Sequence, residues 1–114
     1  MDGGRSTARY GLAGGAPVAA LSCEPGTRAI KLWRTGSASG AIVLVVTATG
    51  RNAMLNGVAD GSGGAHASLP ANDPLLDAVA FSRGRFMLEM PGNPALYLPA
   101  WPELTRVIED CRKG

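Results

Sequence analysis

Apolar residues recur with a helical period over Pro99 to Arg112, PAWPELTRVIEDCR. Leu104, Val107, Ile108 and Cys111 stand at i, i+3, i+4 and i+7 and form one stripe, while Thr105, Arg106, Glu109 and Asp110 take the other face. Pro102 suits the first helical position, Glu103 the positive end of the helix dipole, and Arg112 and Lys113 its negative end. A shorter helix opens at Asp73-Pro74, an N-cap followed by a favourable first residue. Its apolar face is Leu75, Leu76, Val79 and Ala80, and Gly84 is placed to end it near Ser82 or Arg83. Elsewhere the period is two. Ala16 to Cys23 and Arg28 to Arg34 predict strands on either side of the turn Glu24-Pro25-Gly26-Thr27. In the second of these, Ile30 and Leu32 share a face with Arg28 and Arg34, and Ala29, Lys31 and Trp33 share the other. Ala41 to Thr47, AIVLVVT, is apolar on both faces, the pattern of a strand covered on each side.

Ala53 to Val58 predicts a weaker strand with a bulge at Gly57, Asp60 to Gly64 an exposed loop, and His66 to Leu69 a short strand. Arg85 to Met90 returns to alternation, Pro91-Gly92-Asn93-Pro94 is a turn, and Ala95 to Leu98 is a last strand. The order is four or five strands, a short helix, two strands and a final helix. Short links without helical crossovers in the first half predict an antiparallel meander. The expected fold is mainly β (α+β): an antiparallel sandwich or partly open barrel with a short internal helix and a C-terminal helix.

At 114 residues the chain is long enough for one core, with residues 1–15 expected as a flexible leader and 16–114 as a single globular domain. Sixteen glycines and eight prolines agree with many turns and short strands, and 5% aromatic residues leave the core to Leu, Val, Ile, Ala and Met. A net charge of +2 with no basic run gives no footprint for nucleic acid. Arg28, Lys31 and Arg34 are expected on a solvated strand face. No apolar run approaches the length needed to span a bilayer.

Cys23 ends the first strand and Cys111 lies on the helical stripe, so both point inward and are either two buried thiols or one disulfide. The disulfide is the reading adopted here, and export to the periplasm or medium is inferred from it. A metal site is not expected, since there is no CxxC and the single His66 is far from either cysteine in sequence.

From Ser68 onward the chain has a strand ending in Leu69-Pro70, a short helix, the strand FMLEM (Phe86 to Met90), the strand LYLP (Leu96 to Pro99) and a helix ending in cysteine. This order resembles small exported bacterial proteins of uncharacterised function and, distantly, the invasion-associated locus B family. The resemblance implies an exported β domain on which the final helix packs. It brings no catalytic residues and no cofactor.

Candidate chemistry is sparse. Any Ser-His-Asp arrangement must use His66, expected as a solvated loop histidine, and no GxSxG elbow is present. Asp73, Asp77 and Glu89 could supply acids, but as a cap, an early helix residue and a solvent-facing strand residue each has a structural role. The glycine clusters Gly11 to Gly15 and Gly61 to Gly64 lack the lysine of a phosphate loop. Arg83 and Arg85 flank Gly84 beside a helix C-terminus, where two guanidinium groups can bind an anion. Trp33, Tyr97 and Trp101 are candidates for an aromatic binding face, with Trp101 expected at the entrance of the final helix. The leading expectation is a non-enzymatic exported domain that binds an unknown protein or envelope component. A small hydrolase using His66 with an acidic partner, and a structural module of an envelope assembly, are the alternatives. An exposed edge strand is expected to offer a weak route to a homodimer.

Overall fold

The computed structural model describes residues 7–11, 16–24, 26–61 and 63–113. Six strands come first: β1 (Thr7–Gly11), β2 (Pro17–Glu24), β3 (Ala29–Thr35), β4 (Ala41–Ala48), β5 (Arg51–Ala59) and β6 (Gly64–Pro70). Helix α1 (Pro74–Ala80), strands β7 (Arg85–Glu89) and β8 (Leu96–Pro99), and helix α2 (Pro102–Lys113) complete the order. The described residues thus form a mainly antiparallel β fold with a short internal helix and a C-terminal one, as expected.

All eight strands among the described residues belong to one antiparallel sheet in the order β1-β2-β3-β6-β5-β4-β7-β8. The sheet curls until its ends nearly meet. Tyr10 of β1 stacks on Trp101, just past β8, at 5.1 Å between ring centroids, and stands edge-on to Phe86 of β7 at 6.1 Å. Aromatic packing rather than an eighth ladder therefore closes the seam between the two edge strands.

The predicted single meander is corrected here. β3 and β4 are joined by a short link but do not pair. Instead β4, β5 and β6 form their own meander, and its last strand returns to β3 in a seven-residue register from Ala29↔Pro70 to Thr35↔Gly64. The last contact of this meander is made possible by Gly57, where a Cβ would lie 2.6 Å from the His66 carbonyl oxygen.

The expected leader is revised as well. Thr7–Gly11 is strand β1, with Ala8 and Tyr10 buried opposite Leu21 and Ala19 of β2. The rest of the span assigned to the leader lies outside the described residues.

The inner face of the sheet carries the core. Leu21, Leu32, Val46, Leu55, Leu69 and Phe86 converge there, and α1 adds Leu75, Leu76 and Val79. Asp73 caps α1 by accepting from the Leu75 amide at 2.8 Å, with Pro74 as first helical residue, as its sequence predicts. Helix α2 packs on β1, β2 and β3 through Leu104, Val107, Ile108 and Cys111, the predicted stripe. Cys23 and Cys111 are joined in a disulfide across 88 residues of sequence, with their Cα atoms 5.3 Å apart.

Arg34 corrects a second expectation. It lies on the inner face with Ile30 and Leu32, only 2% exposed, rather than on a solvated one. Its Nε donates to the Thr35 carbonyl at 2.8 Å and its NH1 crosses to the Leu88 carbonyl of β7 at 3.0 Å. The guanidinium thus ties together two strands that are not neighbours in the sheet. Burial lowers its pKa from the usual value, and the two carbonyls supply the polar contacts that make a buried cation tolerable.

Candidate interaction face

Both helices occupy the inner side of the sheet, so among the described residues no layer lies over the outer side of β5, β4, β7 and β8. Alternation brings Met54 and Val58 of β5, Val43 and Val45 of β4, Met87 of β7 and Tyr97 of β8 to that side. Register makes them neighbours. Met54 pairs with Val45, Met87 with Tyr97, and Val58 with Ala41. Met54 is 77% exposed, Tyr97 61% and Val58 47%, on a side where an antiparallel sheet facing water ordinarily carries polar residues. Arg85 and Glu89 stand at the two ends of β7 on the same side, flanking Met87. The Arg85 guanidinium lies 5.8 Å from the centre of the Tyr97 ring, in cation–π range.

The reading of Ala41 to Thr47 as a strand covered on both faces is therefore corrected. Its inner residues Leu44 and Val46 are buried, whereas Val43 and Val45 remain half-exposed. Met54 and Met87 were not recognised from sequence as members of this face. The only available signal was that second apolar side of β4, which has the same pattern whether the cover is part of the chain or is missing from it.

The sequence-predicted binding residues do not form one site. Arg85 and Tyr97 come together. Arg83 lies in the turn before β7, its amide donating to Thr49 Oγ1 at 3.2 Å. Trp33 is four strands from β7 in the sheet order, and its Nε1 donates to Asp60 Oδ2 at 2.8 Å. Trp101 sits at the entrance of α2, as expected, where it stacks on Tyr10 at the seam.

His66 is not a solvated loop residue. It lies within β6 on the outer face, opposite Trp33 and Val58, half-buried, with a shielded Nδ1 that has no hydrogen-bond partner among the described residues. The acids considered with it are elsewhere. Glu89 is three strands away, about 14 Å at ordinary strand spacing. Asp73 caps α1 beyond the end of β6, and Asp77 pairs with Arg112 at 2.9 Å. Among the described residues no cluster of three or more His, Cys, Asp or Glu could hold a metal ion, and no helix is long and apolar enough to cross a membrane. Comparison with protein-family models, with curated proteins and with solved structures finds no match to this chain.

Proposed function

We propose that this is a non-enzymatic binding domain, exported to the periplasm or the medium, that docks a partner protein on the outer face of β5, β4, β7 and β8. The single observation that carries the reading is the composition of that face. Methionine, tyrosine and arginine are enriched in the energetically dominant parts of protein interfaces, and charged side chains are sparse at their centres. Here Met54, Met87 and Tyr97 stand on a face that no described element covers, beside the neutral Asn52 and Asn56, with Arg85 on the tyrosine ring and Glu89 as the one acid on β7. The Cys23–Cys111 disulfide supports export, because such bonds persist in oxidising compartments. The order of elements after Ser68, which resembles that of small exported bacterial proteins, is in keeping with the same assignment.

The test compares the wild-type protein with M54E/Y97E as baits for envelope extract. Both sites are exposed, so thermal unfolding should change little, within about 0.5 kcal/mol. Proteins retained by the wild type should be lost from the double variant. Retention of the same set by both baits would refute docking on this face.

A further inference from the structure

By strand order β5 lies in the middle of the sheet, yet most of one of its edges is unpaired. It matches β4 over eight positions, Arg51 to Val58, but β6 over only two, Val58↔His66 and Ala59↔Ala65. β6 follows β3 along its whole length instead, and the Ala71 amide extends that course by donating to the Arg28 carbonyl at 2.9 Å. The two strands therefore part beyond Val58. From Arg51 to Gly57 the side of β5 turned away from β4 has no ladder partner among the described residues.

Two bonds at the end of the strand fix which main-chain groups face this gap. The Ala59 amide donates to the carbonyl of Gly40, beside β4, at 2.9 Å, and the Asp60 amide to that of Gly64, in β6, at 3.0 Å. Successive residues of a strand alternate in direction. Ala53, Leu55 and Gly57 thus turn their amides and carbonyls to β4, and Asn52, Met54 and Asn56 turn theirs into the gap. Exposed edges are ordinarily blunted by proline, charge, a bulge or short length. β6 ends at Pro70, which has no N–H, and the two outermost strands are short, with Pro99 closing β8. The free edge of β5 has no such device: between Asn52 and Gly57 there is no proline, no charge and no shift of register. Ala53 and Leu55, on the core side, are only partly buried, as expected where the next strand is missing.

We propose that the free edge of β5 is a docking site for an extended segment of another protein, added as a strand along Asn52 to Asn56. Main-chain bonds to Asn52, Met54 and Asn56 hold the segment, and its side chains beside Ala53 and Leu55 are apolar. A second copy fits poorly. Antiparallel pairing of β5 with itself about Met54 brings the other copy's β4–β5 turn to Val58, where His66 already pairs. The space closes at that end, since even a Cβ on Gly57 would lie 2.6 Å from the His66 carbonyl oxygen. A segment not tied into a hairpin can turn away there. The edge borders the docking face at Met54 but is independent of it, because main-chain groups form the one and side chains the other.

Amide hydrogen exchange on the dilute, full disulfide-bonded chain is the first test. Asn52, Met54 and Asn56 should exchange much faster than Ala53, Leu55 and Gly57. The peptide acetyl-Thr-Val-Thr-Val-Thr-amide should then bind saturably and slow the first three. Asn52→Pro removes one free donor and leaves the bonds to β4 intact. It should weaken peptide binding about three- to tenfold, the worth of one main-chain hydrogen bond, with melting near that of wild type. Should that variant not fold, the same peptide N-methylated at every residue replaces it, and must not bind. Slow exchange at Asn52 and Met54 in the dilute protein, absence of saturable binding, or equal binding by the N-methylated peptide overturns the proposal. Protection that rises with protein concentration alone assigns the edge to a second copy and overturns it as well.

Discussion

Two buried polar side chains show how much a single position decides. Tyr10 is 2% exposed and its hydroxyl has no partner among the described residues. Burial, and secondarily the charge of Glu103, push its pKa from 10.0 up to about 12. Between these values the native state holds a proton that the unfolded chain has released. Stability is therefore full below about pH 10 and falls as the pH rises through the native value, by about 2–3 kcal/mol. Denaturant titrations at neutral and at strongly alkaline pH should show this loss in the wild type and not in Tyr10→Phe. At neutral pH that variant should be as stable as wild type or slightly more so, since it removes an unmet hydroxyl. Arg34 behaves oppositely, because its Nε and NH1 both donate to backbone carbonyls. Arg34→Ala leaves a cavity and frees the Leu88 carbonyl, and should destabilise by about 3 kcal/mol in urea unfolding. A loss under about 0.5 kcal/mol would show that the tie between β3 and β7 contributes nothing to stability.

At the scale of elements, α2 was the most legible part of the chain and also the most constrained. Its stripe, its proline start and its cysteine all follow from a 3.6-residue period. The disulfide then anchors its last turn to the end of β2. Because the bond closes a loop of 88 residues in sequence separation, the chain-entropy model gives about 4–5 kcal/mol for it. Intact-mass thiol counting under denaturing conditions should find no alkylation before reduction and two sites after it. The C23A/C111A variant should lose about 2–5 kcal/mol, read from its unfolding midpoint. Helix α1 was equally readable, since Asp73-Pro74 specifies its start locally. Strand β1 was not. Thr7–Gly11 has little apolar content, and it becomes a strand because the edge of β2 pairs with it and the Trp101 ring stacks on Tyr10.

At the scale of the molecule, the arrangement of strands decides which apolar residues remain on the surface. The curled sheet has one inside, and the two described helices fill it, so only one face of β4 is covered by the described residues. Val43 and Val45 are left beside Met54, Met87 and Tyr97, on four strands contributed by separate stretches of sequence. The same closure separates His66 from Glu89 and splits Trp33, Tyr97 and Trp101 among three places. Loss of partner proteins from M54E/Y97E belongs to this scale, because the face exists only once β4 and β7 are paired. Arg28 and Arg112, far apart in the chain, line one pocket only because α2 returns to the β2–β3 turn.

The sequence by itself determined the features whose cause is local: both helices and their starts, the turns, most of the strands, the inward side of each cysteine and the mainly β class. Period, capping residues and proline geometry act within a few positions, and tertiary packing had no reason to override them. Only the tertiary structure decided which strands pair, that Arg34 turns inward, that β1 exists, and which side of β4 stays bare. Each of these depends on contacts between residues distant in sequence. In a strand, moreover, the same alternation fits either face until neighbouring strands and helices choose which one is buried.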